Sequence, residues 1–130
     1  CLVNDVSERE WQIESTGQWV KGKSHDTYGP IGPYIVTKDE ISDINNLNMS
    51  LDLNGKRMQT GNTKTMIFDV DMIVSYVSKF MTLCPGDIIT TGTPPGVGMA
   101  KKPQLFLKDG DKLNLKIDGL GEQNSKVVTI

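Results

Sequence analysis

The segment Leu47-Asn48-Met49-Ser50-Leu51-Asp52-Leu53 alternates apolar and polar side chains and runs straight into Asn54-Gly55. This stretch constrains the fold more than any other feature of the chain. Alternation sends one row of side chains into a core and the other into water, as a half-buried strand requires. Asn-Gly is a strong two-residue hairpin turn, because both of its positions accept a positive φ. The chain is therefore expected to fold back through Lys56 to Gln59 as an antiparallel partner.

The rest reads as β with two helical interruptions. Residues 1–6, Tyr34 to Thr37, Asp87 to Thr91, Lys112 to Ile117 and Lys126 to Ile130 are expected strands, with a Gly/Pro turn at TGTPPGVG. Ser7-Glu8-Arg9-Glu10 has the Ser-x-x-Glu form of a capping box, which predicts a short helix through about Glu14. From Asp69 the period changes: Val70, Ile73, Val74, Val77, Phe80 and Met81 fall at helical spacing. Asp69 is the expected N-cap there, and Pro85-Gly86 the stop. Thr16 to Pro33 is a loop of 18 residues without apolar periodicity, a length more often functional or disordered than incidental. The sum is one good helix, one short one and six or seven strands, with no internal repeat. The expected fold class is α+β, rich in β.

Composition excludes several function classes. Fourteen basic and 16 acidic residues give a formal charge of −2, so there is no basic footprint for nucleic acid. No apolar run approaches the roughly 20 residues that span a bilayer. Cys1 and Cys84 lack CxxC spacing and read as two reduced thiols of a cytoplasmic protein. The opening Cys1-Leu2-Val3-Asn4-Asp5-Val6 has no initiator Met and no polar lead-in. It predicts further chain before Cys1, which leaves targeting signals unjudged.

Several residues are candidates for chemistry, each with a plain structural alternative. Asp5 ends an apolar strand and either caps the following turn or serves as one oxygen ligand of a divalent cation, which would need others. Lys23 lies in Gly22-Lys23-Ser24, either a solvated lysine or a cation near a ligand that small neighbours let approach. Thr93 lies in Gly92-Thr93-Pro94-Pro95-Gly96-Val97-Gly98, a turn suited to an anion but equally to a tight strand connection. His25 is the single histidine. Its neighbour Ser24 is badly placed to be activated by it, and no nucleophile elbow is present.

Taken together, these segments resemble the C-terminal portion of the fumarylacetoacetate hydrolase family. Asn4-Asp5-Val6-Ser7-Glu8-Arg9-Glu10-Trp11-Gln12 resembles the family's N-D-x-S-x-R-x-x-Q stretch, and Gly22-Lys23-Ser24 with Gly29-Pro30-Ile31-Gly32-Pro33 its lysine loop. Asn54-Gly55 and Gln59-Thr60-Gly61-Asn62-Thr63 resemble its hairpin and the turn before its helix. Pro85-Gly86-Asp87-Ile88-Ile89 through Gly92-Thr93-Pro94 to Gly96-Val97-Gly98 is its most recognisable signature. The similarity is greatest to bacterial proteins labelled ureidoglycolate lyase, which overlap with hydrolases of diketo-deoxy sugar acids. It implies a mixed β-sandwich or roll, with residues 1–130 forming the C-terminal part of one catalytic domain. The family's E-x-E metal ligands and its water-activating His-Glu pair would precede Cys1. Glu8 and Glu10 have E-x-E spacing but lie beyond Asp5 and are not that pair.

The resemblance implies a metal-dependent hydrolase that cleaves a C–C bond in small 2,4-diketo, acylpyruvate-like acids. Asp5 would be a metal ligand, to Mg²⁺ or Mn²⁺ with Ca²⁺ as a third candidate, since cysteine and histidine donors are nearly absent. Lys23 would be catalytic, placing a cation on the developing enolate or the attacked carbonyl. Thr93 would bind the substrate carboxylate. Gln12 would hold substrate or water, and Arg9 would either do the same or position Asp5. A homodimer is implied, and residues 1–130 alone are expected to be inactive. The rivals are a lyase releasing urea and glyoxylate from ureidoglycolate, and a non-catalytic module that keeps only the fold.

Overall fold

The computed structural model describes residues 1–129. Its centre is the expected hairpin. Strand β3 (Asn48–Leu53) and strand β4 (Lys56–Asn62) pair antiparallel. Asn54 and Gly55 hold φ of 51° and 77°, the two positive values that this turn demands. Two further strands complete the sheet, β5 (Lys112–Ile117) against β3 and β6 (Gly121–Lys126) against β5, in the order β4-β3-β5-β6. A second, two-stranded sheet pairs β1 (Leu2–Val3) with β2 (Ile31–Gly32).

Register explains which face is buried. Leu51 stands opposite Leu115, and Leu53 opposite Leu113, so one face of the sheet is aliphatic. Asp52 stands opposite Asn114 and Asn114 opposite Asn124, so the other is polar. Leu2 of β1 packs on the aliphatic face with Leu113 and Leu115, and Leu51, Leu53, Ile117 and Val127 surround them. Burying each such leucine stabilises the fold by about 1.5–3 kcal/mol.

The hairpin carries one irregularity. Leu51 pairs with Gln59, whereas the next residue, Asp52, pairs with Arg57, so Met58 is an extra residue on β4. A bulge of one residue exchanges the two faces of a strand. Here it turns Gln59 onto the aliphatic face opposite Leu51.

Several sequence expectations need correction. The first strand spans only Leu2–Val3, and Tyr34 to Thr37 and Asp87 to Thr91 are not strands. Asp87 instead folds back to accept from the Cys84 backbone N–H at 2.7 Å. The last strand lies earlier than Lys126 to Ile130. The polar run Glu122-Gln123-Asn124-Ser125 forms β6, because alternation along an edge strand does not demand apolar residues there. Ile130 lies outside the described residues. The short helix begins later than expected, as a wide π-type helix over Glu10–Ser15. Its cap is not Ser7: the Glu8 carboxylate accepts from the backbone N–H groups of Glu10 and Trp11, at 3.2 and 2.6 Å.

The main helix α1 (Val70–Val77) has its expected cap, Asp69, accepting from the Met72 N–H at 2.7 Å. It ends at Val77, short of Pro85, and its apolar stripe is only half covered. Val70, Ile73 and Val77 are half-buried, while Tyr76 and Phe80 stack edge to face in the open. Among the described residues no helix is long and apolar enough to cross a membrane.

Candidate functional site

The strand β1 delivers Asn4 and Asp5 to the mouth of a cavity of about 840 Å³ that opens on the aliphatic face of the large sheet. Asp5, Ser7 and Arg9 line it from one side; Gln59, Gly96 and Val97 line it from the other.

On the first side a small cluster forms around Lys23. Its Nζ donates to Asp5 Oδ2 at 2.7 Å and to Ser7 Oγ at 2.6 Å, across 18 and 16 positions of sequence. The local cause is a close chain crossing at Gly22. The Glu8 N–H donates to the Gly22 carbonyl at 2.9 Å. A Cβ on Gly22 would strike the Glu8 carbonyl oxygen and lie 2.5 Å from Gln12 Cβ. With no side chain at Gly22 the lysine loop lies flat on the Glu8–Gln12 segment, and the next residue falls on Asp5. The ion pair is an exposed one, with 54% of the Asp5 side chain open to solvent. Such a pair contributes little to stability, so its importance is in where it holds the ammonium.

Among the described residues no hydrogen bond or salt bridge joins Arg9 to Asp5. The Arg9 Nη1 donates to Gln12 Oε1 at 2.6 Å. Gln12 is fully buried, and its Nε2 has no partner among the described residues. Gln12 is joined to residues that line the cavity by its side chain, through Arg9, and by its backbone N–H, through the Glu8 carbonyl.

On the second side the Gly92–Gly98 turn lies against β4. A Cβ on Gly61 would come within 2.6 Å of Pro94 Cβ, and one on Gly96 would strike the Met58 carbonyl. The Gln59 side chain, turned inward by the bulge, donates from Nε2 to Thr93 Oγ1 at 3.0 Å and to the Pro94 carbonyl at 2.7 Å. Thr93 is thereby tied to a residue that lines the same cavity as Asp5.

Ser7 and Gln59 are the two members that sequence reasoning missed. Ser7 has the pattern of a helix cap. Gln59 lies on the return strand of the hairpin, where nothing before the bulge is known tells its face. His25 is outside the cluster, its ring 4.8 Å from that of Tyr28. Burial is the first cause that raises the Tyr28 pKa above its ordinary value, with the Glu8 charge second. Both cysteines are free and exposed.

The donor set for a metal is incomplete within this chain. Among the described residues no three His, Cys, Asp or Glu side chains gather into a group that could hold an ion. Asp5 is a hard oxygen donor of the kind Mg²⁺ or Mn²⁺ prefers, but it is one donor where such ions need several. These residues fit the metal in kind and not in number.

Comparison with known proteins gives this arrangement a family. The fumarylacetoacetate (FAA) hydrolase C-terminal model matches residues 1–128. A Burkholderia cenocepacia protein provisionally named a hydrolase is 61% identical over 124 residues, covering 95% of this chain and 44% of its own length. The chain thus spans less than half the length of that relative. A 2-hydroxyhepta-2,4-diene-1,7-dioate isomerase from Mycobacterium marinum is similar in structure, at 44% identity and a TM-score of 0.85, covering 97% of this chain and 46% of that one. A maleylpyruvate hydrolase from Sphingobium sp. SYK-6, solved with manganese(II) ion and pyruvate, is 39% identical with a TM-score of 0.77, covering 87% and 40%. By a match over almost its whole length, this chain belongs to the fumarylacetoacetate hydrolase family.

Proposed function

We propose that residues 1–130 supply one side of the active site of a divalent-metal-dependent hydrolase that cleaves a C–C bond in small 2,4-diketo, acylpyruvate-like acids. One observation carries this reading. A lysine ammonium is fixed by Asp5 and Ser7, which line one side of the cavity, while Gln59, which lines the other, donates to the Thr93 hydroxyl. An acid with a 2-oxo group offers two features to that pair, a carboxylate and an oxygen on which charge grows. Support comes also from the similar maleylpyruvate hydrolase, solved with manganese(II) and pyruvate.

In this reading Lys23 donates to the oxygen on which enolate charge develops, a contribution that grows toward the transition state. Thr93 donates to the substrate carboxylate, and Arg9, backed by Gln12, faces substrate or water. Mg²⁺ or Mn²⁺, with Asp5 among its ligands, supplies Lewis acidity when bound. Water activation and the remaining metal ligands belong to residues outside 1–130, and this segment alone is inactive. We place the protein in the cytoplasm, where its exposed thiols stay reduced, and expect a homodimer.

The similar isomerase favours a second reading, because stabilising an enolate also serves the movement of a double bond without cleavage. The full-length protein assayed with Mn²⁺, and again after chelation, separates the readings. Acylpyruvates should release pyruvate only with metal. Urea released from ureidoglycolate in place of pyruvate would establish the lyase. Ketonisation of a 2-hydroxy-2,4-diene dioate without cleavage would establish the isomerase. A protein silent on all of these would be a module that keeps only the fold.

A further inference from the structure

The least conspicuous contact in the site has the most definite chemical consequence. The Pro94 carbonyl can only accept a hydrogen bond, so the Gln59 amide must turn its nitrogen, not its oxygen, toward the Gly92–Gly98 turn. Gln59 Nε2 lies 2.7 Å from that carbonyl and 3.0 Å from Thr93 Oγ1. Its two hydrogens are therefore both committed, one to each oxygen. A threonine hydroxyl has one hydrogen and two acceptor positions. Thr93 accepts from Gln59 at one of those positions, so its own hydrogen and its second acceptor position are left, and among the described residues its hydrogen goes to none. The amide is itself held: Gln59 is buried, and the bulge at Met58 aims it.

We propose that Gln59 is a positioning residue that fixes the Thr93 hydroxyl, occupies one of its two acceptor positions and leaves its hydrogen to be donated to the substrate carboxylate. This rests on the proposed function and deepens it. A carboxylate satisfies the Thr93 hydrogen fully, as a charged acceptor with no hydrogen of its own. A carboxamide gains less there, because it meets the same hydroxyl without the charge that strengthens the bond.

The test is a double-mutant cycle in the full-length protein, with Gln59→Met, Thr93→Val and the two combined. The readouts are KM and kcat for an acylpyruvate and its carboxamide, binding of pyruvate by titration, and the melting temperature. Loss of one such hydrogen bond predicts that Gln59→Met raises KM for the acid, and weakens pyruvate binding, by about five- to tenfold. kcat stays near the wild-type value, and the carboxamide is little affected. In the Thr93→Val background the Gln59 substitution should add nothing further. Gln59→Glu gives a second readout should Gln59→Met unfold. A carboxylate there would take the Thr93 hydrogen for itself, and acid binding should fall while carboxamide binding does not. Effects that multiply in the double variant, or that weaken acid and carboxamide alike, would overturn the inference. If wild type cleaves no acylpyruvate, the functional reading fails, yet the pyruvate titration still reports whether Gln59 and Thr93 act together.

Discussion

The two sides of the site are built in opposite ways. On one side Lys23, Asp5 and Ser7 are charged or polar groups on loop and strand-end backbone, partly open to water and brought together by a single chain crossing at Gly22. On the other, Gln59, Thr93 and Pro94 are neutral, and a buried amide on a strand of the main sheet holds them. A cation that meets growing charge gains from adjusting as the reaction proceeds, and a loop allows that. A donor that must distinguish one substrate group from another gains from being unable to turn, and a sheet provides that. The difference predicts that damage on the charged side appears in turnover and damage on the neutral side in affinity.

Removing the charge should produce the largest effect. In the full-length protein Lys23→Met should lower kcat about a hundred- to a thousandfold, the usual loss when one donor to a developing oxyanion is removed. Metal affinity, read by titration, should change little. If turnover stays near normal, the cluster is a surface ion pair and the contrast between the two sides disappears.

Next in size is the crossing that builds the charged side. Gly22→Ala should destabilise the protein by about 1–3 kcal/mol through overpacking against the Glu8 carbonyl and Gln12. Turnover should fall along with the melting temperature, because Lys23 is displaced from Asp5. A stable variant that lost turnover alone would mean that the crossing serves Lys23 without supporting the fold.

The smallest effect concerns the frame of the neutral side. Asp111 accepts from the Asn54 side chain and from the Lys108 backbone, both at 2.8 Å, tying the hairpin turn to the start of β5. The Asn54 amide first, and the Lys108 N–H second, hold its carboxyl below the ordinary value. A depressed folded-state pKa adds stability above the unfolded value, and that stability is lost as pH falls through the folded one. The excess stability of wild type over Asp111→Asn should be present at about pH 6 and shrink toward about pH 3. Melting curves at the two values measure it. An excess that does not change with pH would show that the tie acts by shape and not by charge.

How much of this the chain announces depends on how local the physics is. The hairpin of β3 and β4 is legible because alternation and the positive-φ demand of Asn54-Gly55 act within a few residues. The Asp69 cap of α1 is legible for the same reason. Tyr34 to Thr37 has strand-forming residues but forms no strand, because its neighbours Ile31 and Gly32 take the available edge of β1. Glu122 to Ser125 lacks apolar residues and is a strand, because the edge of β5 is open to it. Propensity proposes such segments, and the available partner decides.

The same division runs through the site. The sequence by itself determined the family resemblance, the hairpin, and the identity of Asp5, Lys23 and Thr93 as groups able to do chemistry. Only the tertiary structure decided that Lys23 rests on Asp5 and Ser7, that Arg9 turns to Gln12, and that Gln59 donates to Thr93. Residue type fixes what a side chain can donate or accept. What it meets depends on a chain crossing at Gly22 and a one-residue bulge at Met58, and the first joins backbone segments 14 positions apart.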